Sequence, residues 1–397
     1  MTKKIWGALI VIAVLTAVFW KPEPQPLPKE KEVVAVAEPK PSTDDNALSA
    51  ASTDLSVVLK RPAAKPVIKI GAVFPLSGDS AEKGTGFKNA LLLARDDLKY
   101  QDPKYDYRFV IDDTQDIAAV YEKQKNADKV SAVITFGAVA GNFIAPQAEK
   151  DKIIHVNFGA VDNKIADGKY NFMNWTMPEK MIVSMLNFYK EHHYKNIVFI
   201  GAENPETHAL HEKLQELAAP DEIKITSFWL APQEKDFLPL LTETKAVNAD
   251  AYLLQIEKEQ IAPFVADYKT AAIPAVLTNI ETFSNLSDFK VIDGAYYTDV
   301  AHSMDIFNNR VKRAYPETNS NDALGTVYDT VMLLVQTFEN AAAPEQAVDR
   351  LAQTEEYTGV VGVITQDKNG IFNARAVLKK VMNGEPVDMY EEPDHHH

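Results

Sequence analysis

The chain of 397 residues contains no cysteine. This absence excludes disulfide bonds, thiolate catalysis, zinc sites with cysteine ligands and a lipid anchor on an N-terminal cysteine. Basic residues are also few, because 41 lysines and arginines stand against 56 aspartates and glutamates, for a formal net charge of −15. Nucleic-acid binding draws its affinity from clustered basic side chains, so a nucleic-acid partner is not expected.

What remains is typical of a globular protein that is long enough for two domains, with 46% hydrophobic and 24% charged residues. An uncharged apolar run occupies residues 5–20. Lys3 and Lys4 precede it, and Lys21 follows it. It ends in aromatic residues and lacks the small residues of a cleavage site. As a helix it would span about 24 Å, and its terminal tryptophans and flanking lysines extend its reach toward the interfaces.

We therefore predict that residues 1–21 form an uncleaved anchor in the cytoplasmic membrane, rather than a cleaved signal peptide, with the rest of the chain on the periplasmic side. Residues 22–66 are rich in proline and mixed charge and have no sustained apolar period. They are predicted to be a disordered tether, stiffened by proline. Residues 390–397 end in three histidines and are interpreted as a tail or tag remnant, so these histidines enter no metal argument.

Short apolar runs alternate with amphipathic helical stretches from residue 67 onward. Four such units followed by four more predict an α/β fold of two doubly wound lobes, each a parallel sheet covered by helices. Right-handed crossovers place all strand-to-helix turns at the carboxyl edges of the sheets, so a ligand site is expected between the lobes. The predicted strands are residues 67–74, 107–112, 132–136, 153–157, 196–201, 223–229, 249–255 and 274–278.

Several segments resemble one known family in the same order along the chain. The stretch IKIGAVFPLSGDSAEKGTGFKNALLLARDDL, which begins at Ile68, forms a strand, a turn and a helix, and residues 109–162, 231–254 and 328–335 continue the likeness. Together they resemble the periplasmic leucine/isoleucine/valine-binding protein family, the type I solute-binding proteins of ABC importers. The resemblance covers residues 67 to about 387.

This resemblance implies two lobes that are discontinuous in sequence and close on a ligand about three hinge crossovers. The first lobe would comprise residues 67–177 with 300–358, and the second residues 178–299 with 359–389. The crossovers would lie near residues 176–178, 297–302 and 357–361.

In that family the first lobe holds an amino acid through hydroxyl side chains and backbone groups after its third and fourth strands. The positions that match those hydroxyls are Gly141 and Val161. Unpaired polar groups in a closed site are costly, so the resemblance implies poor binding of free branched-chain amino acids. Backbone groups of two turns remain candidates for binding an anionic group at helix N-termini: Gly137, Ala138, Gly159 and Ala160.

The second lobe contributes Glu281 and Glu206 at positions that match ligand-side residues of the family. Two carboxylates there favour a ligand with positive charge or several hydrogen-bond donors. Glu206 has an alternative role as a solvated first-turn residue that interacts with the helix dipole. Gln255, at the end of a predicted strand, and Glu257 are further candidates at the cleft edge.

Ser77, in the turn PLSGDS, resembles part of the family's ligand-side loop. Its alternative role is to cap the helix that follows. No Ser/His/Asp set and no carboxylate pair has a spacing that predicts catalysis, and no metal or cofactor is predicted.

Two functions remain open. The first is an extracytoplasmic solute-binding protein that captures a small polar ligand, amino-acid-like or related, for an ABC permease. The alternative is a membrane-anchored sensing or interaction module of the envelope with an altered pocket. The loss of both hydroxyls favours the alternative, and the glycine turns and Glu281 favour the first.

Overall fold

The computed structural model describes residues 64–389, except residues 302, 304, 321 and 322. The predicted anchor, the tail and all but the end of the tether therefore lie outside the described residues. Among the helices that are described, none is long and apolar enough to cross a membrane.

The strands of the described residues form two sheets. In chain order they are β1 (Val67–Phe74), β2 (Asp106–Asp113), β3 (Ala132–Phe136), β4 (Ile154–Phe158), β5 (Asn171–Asn174), β6 (Asn196–Ala202), β7 (Lys224–Leu230), β8 (Ala251–Gln255), β9 (Val276–Ile280), β10 (Tyr296–Val300), β11 (Glu356–Gly359), β12 (Gly362–Gln366), β13 (Ile371–Ala374), β14 (Ala376–Met382) and β15 (Glu385–Asp388). The first sheet has the order β11-β12-β13-β5-β4-β3-β1-β2, and the second β15-β14-β10-β9-β8-β6-β7.

The helices that connect these strands cover both faces of the sheets. They are α1 (Ala81–Leu98), α2 (Ile117–Lys123), α3 (Gly137–Asp151), α4 (Pro178–Glu191), α5 (Pro205–Ala218), α6 (Leu238–Thr244), α7 (Lys258–Thr270), α8 (Asp305–Ala314), α9 (Leu324–Asn340) and α10 (Ala347–Ala352). Successive residues of a strand point to opposite faces. Accordingly, Phe199 of β6 packs with α4 and α5, whereas its neighbour Ile200 packs with α6 and α7.

Each sheet has a parallel centre and an antiparallel edge. In the first sheet β1 to β5 and β13 are parallel, while β12 pairs antiparallel with β13 and β11 pairs antiparallel with β12. In the second sheet β6 to β10 are parallel, while β14 pairs antiparallel with β10 and β15 pairs antiparallel with β14. The predicted α/β fold of two doubly wound lobes is confirmed, with sheets that are mixed rather than purely parallel.

The chain crosses between the sheets three times, and the third crossover was predicted at the wrong place. It lies at Arg375, between β13 and β14, and not near residues 357–361. Those residues belong to the β11–β12 hairpin, whose tight turn ends at Gly362 with a φ of 92°. Residues 362–374, which were assigned to the second lobe, therefore belong to the first sheet as β12, a short turn and β13.

The three crossovers lie side by side and are hydrogen-bonded to one another. The Thr176 hydroxyl accepts a bond from the backbone N–H of Ala374 (2.9 Å) and donates to the carbonyl of the same residue (3.3 Å). On the other side, the N–H of Ala301 donates to the carbonyl of Arg375 (2.9 Å). Short connections of this kind, at the ends of elements, are where a hinge would absorb a change of backbone angles.

Candidate functional site

The candidate residues of each sheet lie at the ends of its parallel strands. Because parallel strands end at a common carboxyl edge, each group lies at one such edge. We call the carboxyl edge of the first sheet the first edge and that of the second sheet the second edge. For the first sheet the group is Ser77 after β1, Gly137, Ala138 and Gly141 after β3, and Gly159, Ala160 and Val161 after β4. For the second sheet it is Glu206 after β6, Gln255 at the end of β8 and Glu281 after β9.

Two turns of the first edge require glycine. Gly137 begins α3 with a φ of 77°, a conformation that side chains with a Cβ rarely adopt. Gly159 has a φ of 72°, and a Cβ there would lie 2.4 Å from the ring of Phe136. Of the alanines that follow, Ala138 is exposed and Ala160 is buried. Only the first turn therefore offers an open helix N-terminus.

Gly141 has no room for the serine that the family carries. A Cβ at this position would lie 2.7 Å from Nδ2 of Asn157 and 2.7 Å from Cδ1 of Ile165. Both distances are shorter than any normal non-bonded contact, so a side chain would displace its neighbours. The amide of Asn157 thus occupies the space beside Gly141.

Asn157 belongs to a buried chain of hydrogen bonds that sequence analysis missed. The ring of His155 joins Oγ1 of Thr135 (Nε2, 2.8 Å) to Oδ1 of Asn171 (Nδ1, 3.0 Å). Nδ2 of Asn157 donates to the same threonine oxygen (2.8 Å) and to the carbonyl of Gly137 (3.0 Å). The chain therefore runs across β3, β4 and β5, directly behind the first edge.

The direction of each hydrogen bond in this buried network can be assigned by starting from Asn171. Asn171 donates through Nδ2 to the carbonyls of Ala145 (3.1 Å) and Asp167 (2.9 Å), so its Oδ1 is the acceptor facing His155. His155 must then donate through Nδ1 and accept at Nε2 from the Thr135 hydroxyl. Burial lowers the pKa of His155 to about 4, against a smaller opposing effect of the Asn171 bond, so the ring is neutral at pH 7. At the other end Oδ1 of Asn157 is buried and, among the described residues, has no hydrogen-bond partner.

Ser77 is engaged with the neighbouring turn. Its hydroxyl accepts a hydrogen bond from Nε2 of Gln115 (2.8 Å) and makes no side-chain cap to the short helix that follows. The Ser77 hydroxyl also lowers the pKa of Asp113, at the end of β2, below its usual value. Ser77 therefore joins the turns after β1 and β2.

Three large apolar side chains are exposed at this edge. Val161 is 63% exposed, and on α3 Val139 is 80% and Phe143 40% exposed. A hydrogen bond from Nδ2 of Asn142 to Oδ2 of Asp162 (3.1 Å) ties α3 to the turn that carries Val161. Two segments thus present large apolar side chains at one edge.

Glu281 lies exposed at the second edge on an unusual backbone. Its φ of 68° and ψ of −49° are close to the classic γ-turn, which is rare and strained. Its N–H donates to the carbonyl of Thr298 (2.7 Å), and its carbonyl accepts from the N–H (2.9 Å) and the hydroxyl (2.6 Å) of Ser284. Strained backbone of this kind often marks a site where a side chain must be placed for function.

Gln255, a candidate residue at the cleft edge, is hydrogen-bonded to this turn. Its side chain is buried, because Nε2 donates to the carbonyl of Ile280 (3.0 Å), the residue just before Glu281. Gln255 is therefore buried between β8 and β9. Its contribution to the site is therefore to position Glu281.

Glu206 is exposed in the first turn of α5, where both interpretations placed it. The cap of this helix is Asn204, whose Oδ1 accepts from the N–H of Thr207 (2.8 Å) and whose Nδ2 donates to Glu257 (3.1 Å). The second edge thus carries several carboxylates around an ordered helix start.

Two surface cavities of about 120 and 510 Å³ lie elsewhere, at the end of α9 and the start of β11. β11 runs parallel to β5, so its start lies at the amino edge of the first sheet, opposite the candidate residues. No group of three or more metal-binding side chains suited to an ion occurs in the described part of the chain.

The family profile described as "Periplasmic binding protein" matches residues 67–384. The chain belongs to the periplasmic binding protein family. The match includes every strand and turn of both candidate edges. This confirms the family predicted from the sequence, and it makes this periplasmic binding protein a solute-binding protein rather than an enzyme.

Solved structures with this fold include transporter binding proteins from several bacteria. A putative branched-chain amino acid ABC transporter protein from Rhodospirillum rubrum is 15% identical, with a TM-score of 0.72 over 82% of this chain and 100% of that chain. An ABC transporter substrate-binding protein from Desulfitobacterium hafniense, in complex with Leu, is 17% identical, with a TM-score of 0.63 over 81% and 100%. An ABC transporter solute-binding protein from Rhodopseudomonas palustris, in complex with 3,4-dihydroxybenzoic acid, is 15% identical, with a TM-score of 0.57 over 82% and 99%.

None of the curated proteins matches the sequence of this periplasmic binding protein. The likeness to the solved structures, at these identities, shows the fold. Its ligand must therefore be argued from its own residues.

Proposed function

We propose that this protein captures a small polar ligand between its two lobes and delivers it to an ABC permease. The observation that carries this proposal is the family match over residues 67–384, which includes both carboxyl edges. The family binds solutes outside the cytoplasm, and the structural neighbours are named as ABC transporter binding proteins.

The first lobe would contact the ligand mainly with backbone groups. The N-terminus of α3, at Gly137 and Ala138, and the turn at Gly159 supply N–H groups, while Val161 supplies apolar contact. Ser77 is less suited to direct contact, because its hydroxyl already serves Gln115 and Asp113.

The second lobe would supply charge. Glu281 sits on a strained turn that Gln255 supports from behind, and Glu206 lies at the exposed start of α5. Carboxylates at this edge favour ligands that carry positive charge or several N–H groups.

Membrane anchoring is a separate part of the proposal. Residues 1–21 would hold the protein in the cytoplasmic membrane, and the proline-rich tether would carry the folded part into the periplasm. Full-length protein should then remain in the membrane fraction after a high-salt wash and keep its original N-terminus. Recovery of a soluble form that begins near residue 21 or 38 would contradict the anchor.

An envelope sensing or interaction module is the second candidate. The steric exclusion of a side chain at Gly141 and the apolar Val161 favour it, because both remove hydroxyls that hold an amino acid in the family. Such a module would have the same fold without a solute to transport.

Mass spectrometry of bound small molecules separates the two functions. Full-length protein would be extracted in mild detergent, washed and denatured, and the released molecules compared with those from a mock purification. A solute-binding protein should release one solute in near-stoichiometric amount. Release of nothing beyond the mock sample, together with no binding from a metabolite extract, would favour the sensing module.

A further inference from the structure

We propose that the side chains of Thr176 and Asn373 clamp the first and third crossovers together and thereby fix the axis about which the two lobes turn. This inference rests on the proposed function only in that it concerns the movement that would close the lobes on a solute. Neither residue is a candidate ligand residue, so both act as positioning residues.

The first contact of the clamp joins the Thr176 hydroxyl to the backbone of Ala374. Thr176 is buried, and its hydroxyl accepts from the N–H of Ala374 (2.9 Å) and donates to the carbonyl of the same residue (3.3 Å). A hydroxyl has one donor and two acceptor positions, so one threonine can serve both backbone groups. A side chain of the first crossover thus replaces a strand partner for the third.

The second contact runs the other way, from Asn373 to the backbone of Met177. Asn373 is buried, its Oδ1 accepts from the N–H of Met177 (3.0 Å), and its Nδ2 donates to the carbonyl of Ile371 (3.0 Å). The orientation of the amide is therefore fixed at both ends. Two adjacent residues of one crossover are held by two adjacent residues of the other.

The first crossover has little backbone freedom beyond this clamp. The side chain of Met177 packs in a buried cluster of the first lobe with Met173 of β5 and Ile371 of β13. The next residue, Pro178, begins α4, which packs on the second sheet. Proline fixes its own φ and restricts the residue before it. The first crossover is therefore stiff up to the start of α4.

The third crossover is tied to the second crossover on the side of the second lobe. Val300 and Ala376 pair in the ladder between β10 and β14, and the N–H of Ala301 donates to the carbonyl of Arg375 (2.9 Å). Arg375 is the single residue between β13 and β14. The third crossover is thus held on both sides of Arg375, which leaves that residue as its pivot.

The clamp makes the first and third crossovers move as one unit. Hinges are a few residues at the ends of elements that absorb the change of backbone angles. With the clamp intact, the lobes turn about one axis through Arg375. Without it each crossover bends independently, so the lobes would sample a wider range of orientations even before a solute binds.

Substitution of Thr176 tests this directly. Thr176→Val keeps the shape of the side chain and removes both hydroxyl bonds, whereas Thr176→Ser keeps the hydroxyl. Spin labels on cysteines introduced at the exposed residues Asp79 and Lys258, near the two carboxyl edges, would report the distance between the lobes by double electron–electron resonance. The full-length protein would be measured in mild detergent without a solute. We expect a broader distance distribution in Thr176→Val than in the wild type, and the wild-type width in Thr176→Ser.

Thr337→Val is the matched control. Thr337 is buried in α9 of the first lobe, and its hydroxyl donates to the carbonyl of Leu333 (2.7 Å). The same substitution there removes a buried hydroxyl bond away from the crossovers, so the wild-type distribution should be retained. Asn373→Leu breaks the second contact independently and should broaden the distribution as Thr176→Val does. Circular dichroism would establish that each variant is folded.

The outcomes separate this inference from the proposed function. Distributions as narrow as that of the wild type in folded Thr176→Val or Asn373→Leu would overturn the clamp. Equal broadening in Thr337→Val, or in Thr176→Ser, would overturn it as well, because the effect would then not depend on the Thr176 hydroxyl. None of these results bears on solute binding, since no solute is present, and a failure to recover any solute would contradict the proposed function alone.

Discussion

The Asp329→Asn substitution is expected to change how the stability of the protein depends on pH. Asp329 is fully buried in α9, where its carboxylate accepts hydrogen bonds from the N–H groups of Val360 (2.8 Å) and Val361 (3.0 Å). Those residues form the turn between β11 and β12. Burial raises the pKa of Asp329 from 3.8 to about 6, against the smaller opposing effect of the two N–H groups.

The direction in which pH changes the stability depends on whether the folded or the unfolded state binds the proton. Between pH 3.8 and about 6 the folded protein binds a proton at Asp329 that the unfolded chain has released, so folding is favoured by low pH in this window. The contribution is complete below pH 3.8 and is lost as the pH rises through about 6. A shift of about two pKa units corresponds to about 3 kcal/mol.

Asparagine has the shape of the protonated acid and cannot ionise. The free energy of unfolding of Asp329→Asn, relative to the wild type, should therefore rise by about 3 kcal/mol as the pH increases from about 4 to about 7. Urea unfolding of the full-length chain in mild detergent, followed by circular dichroism across this range, measures the difference. The exposed Asp79 provides the control variant Asp79→Asn. Parallel profiles for wild type and Asp329→Asn would refute the reasoning.

Three further predictions concern the candidate site. Gly141→Ser should destabilise the protein by about 1–3 kcal/mol in urea unfolding because its Cβ collides with Asn157, whereas Ala138→Ser, on the exposed part of the same helix, should not. Gln255→Leu should cost about 1–3 kcal/mol, because it leaves the buried carbonyl before Glu281 without its donor; an unchanged denaturation midpoint would contradict this. His155→Gln removes a ring whose pKa burial lowers from 6.5 to about 4, so the wild type should lose about 3 kcal/mol relative to the variant as the pH falls through this window; a constant difference would contradict a neutral buried ring.

The parallel centres of the two sheets could be predicted because their strands are buried on both faces. Such strands are continuous apolar runs, and β1 and β3 have the bounds that the sequence predicted. The edge strands carry no such signal. β11 and β15 are four residues long and mostly polar or exposed, so their hairpins could be mistaken for a crossover between lobes.

The candidate residues Gly141 and Glu281 were chosen because their positions match ligand-side residues of the family that the sequence resembles. The orientation of Gln255 depends on its bond to another strand, so it could not be predicted from the sequence. The buried hydrogen bonds of Thr135, His155, Asn157 and Asn171 were not predicted, although the sequence contains one indication of them. His155 and Asn157 alternate in an otherwise apolar strand, so they share one face, and Asn157 pairs in register with Thr135 of β3.

A distance measurement between the lobes tests the central claim, that the two lobes close on a solute. Because the sequence has no cysteine, two can be introduced without interference, at the exposed residues Asp79 and Lys258 near the two carboxyl edges. Spin labels at these sites would be measured by double electron–electron resonance, with and without the solute recovered from the protein. The account predicts a shift to shorter distances when the solute is added. A distance distribution that a bound solute leaves unchanged would contradict it.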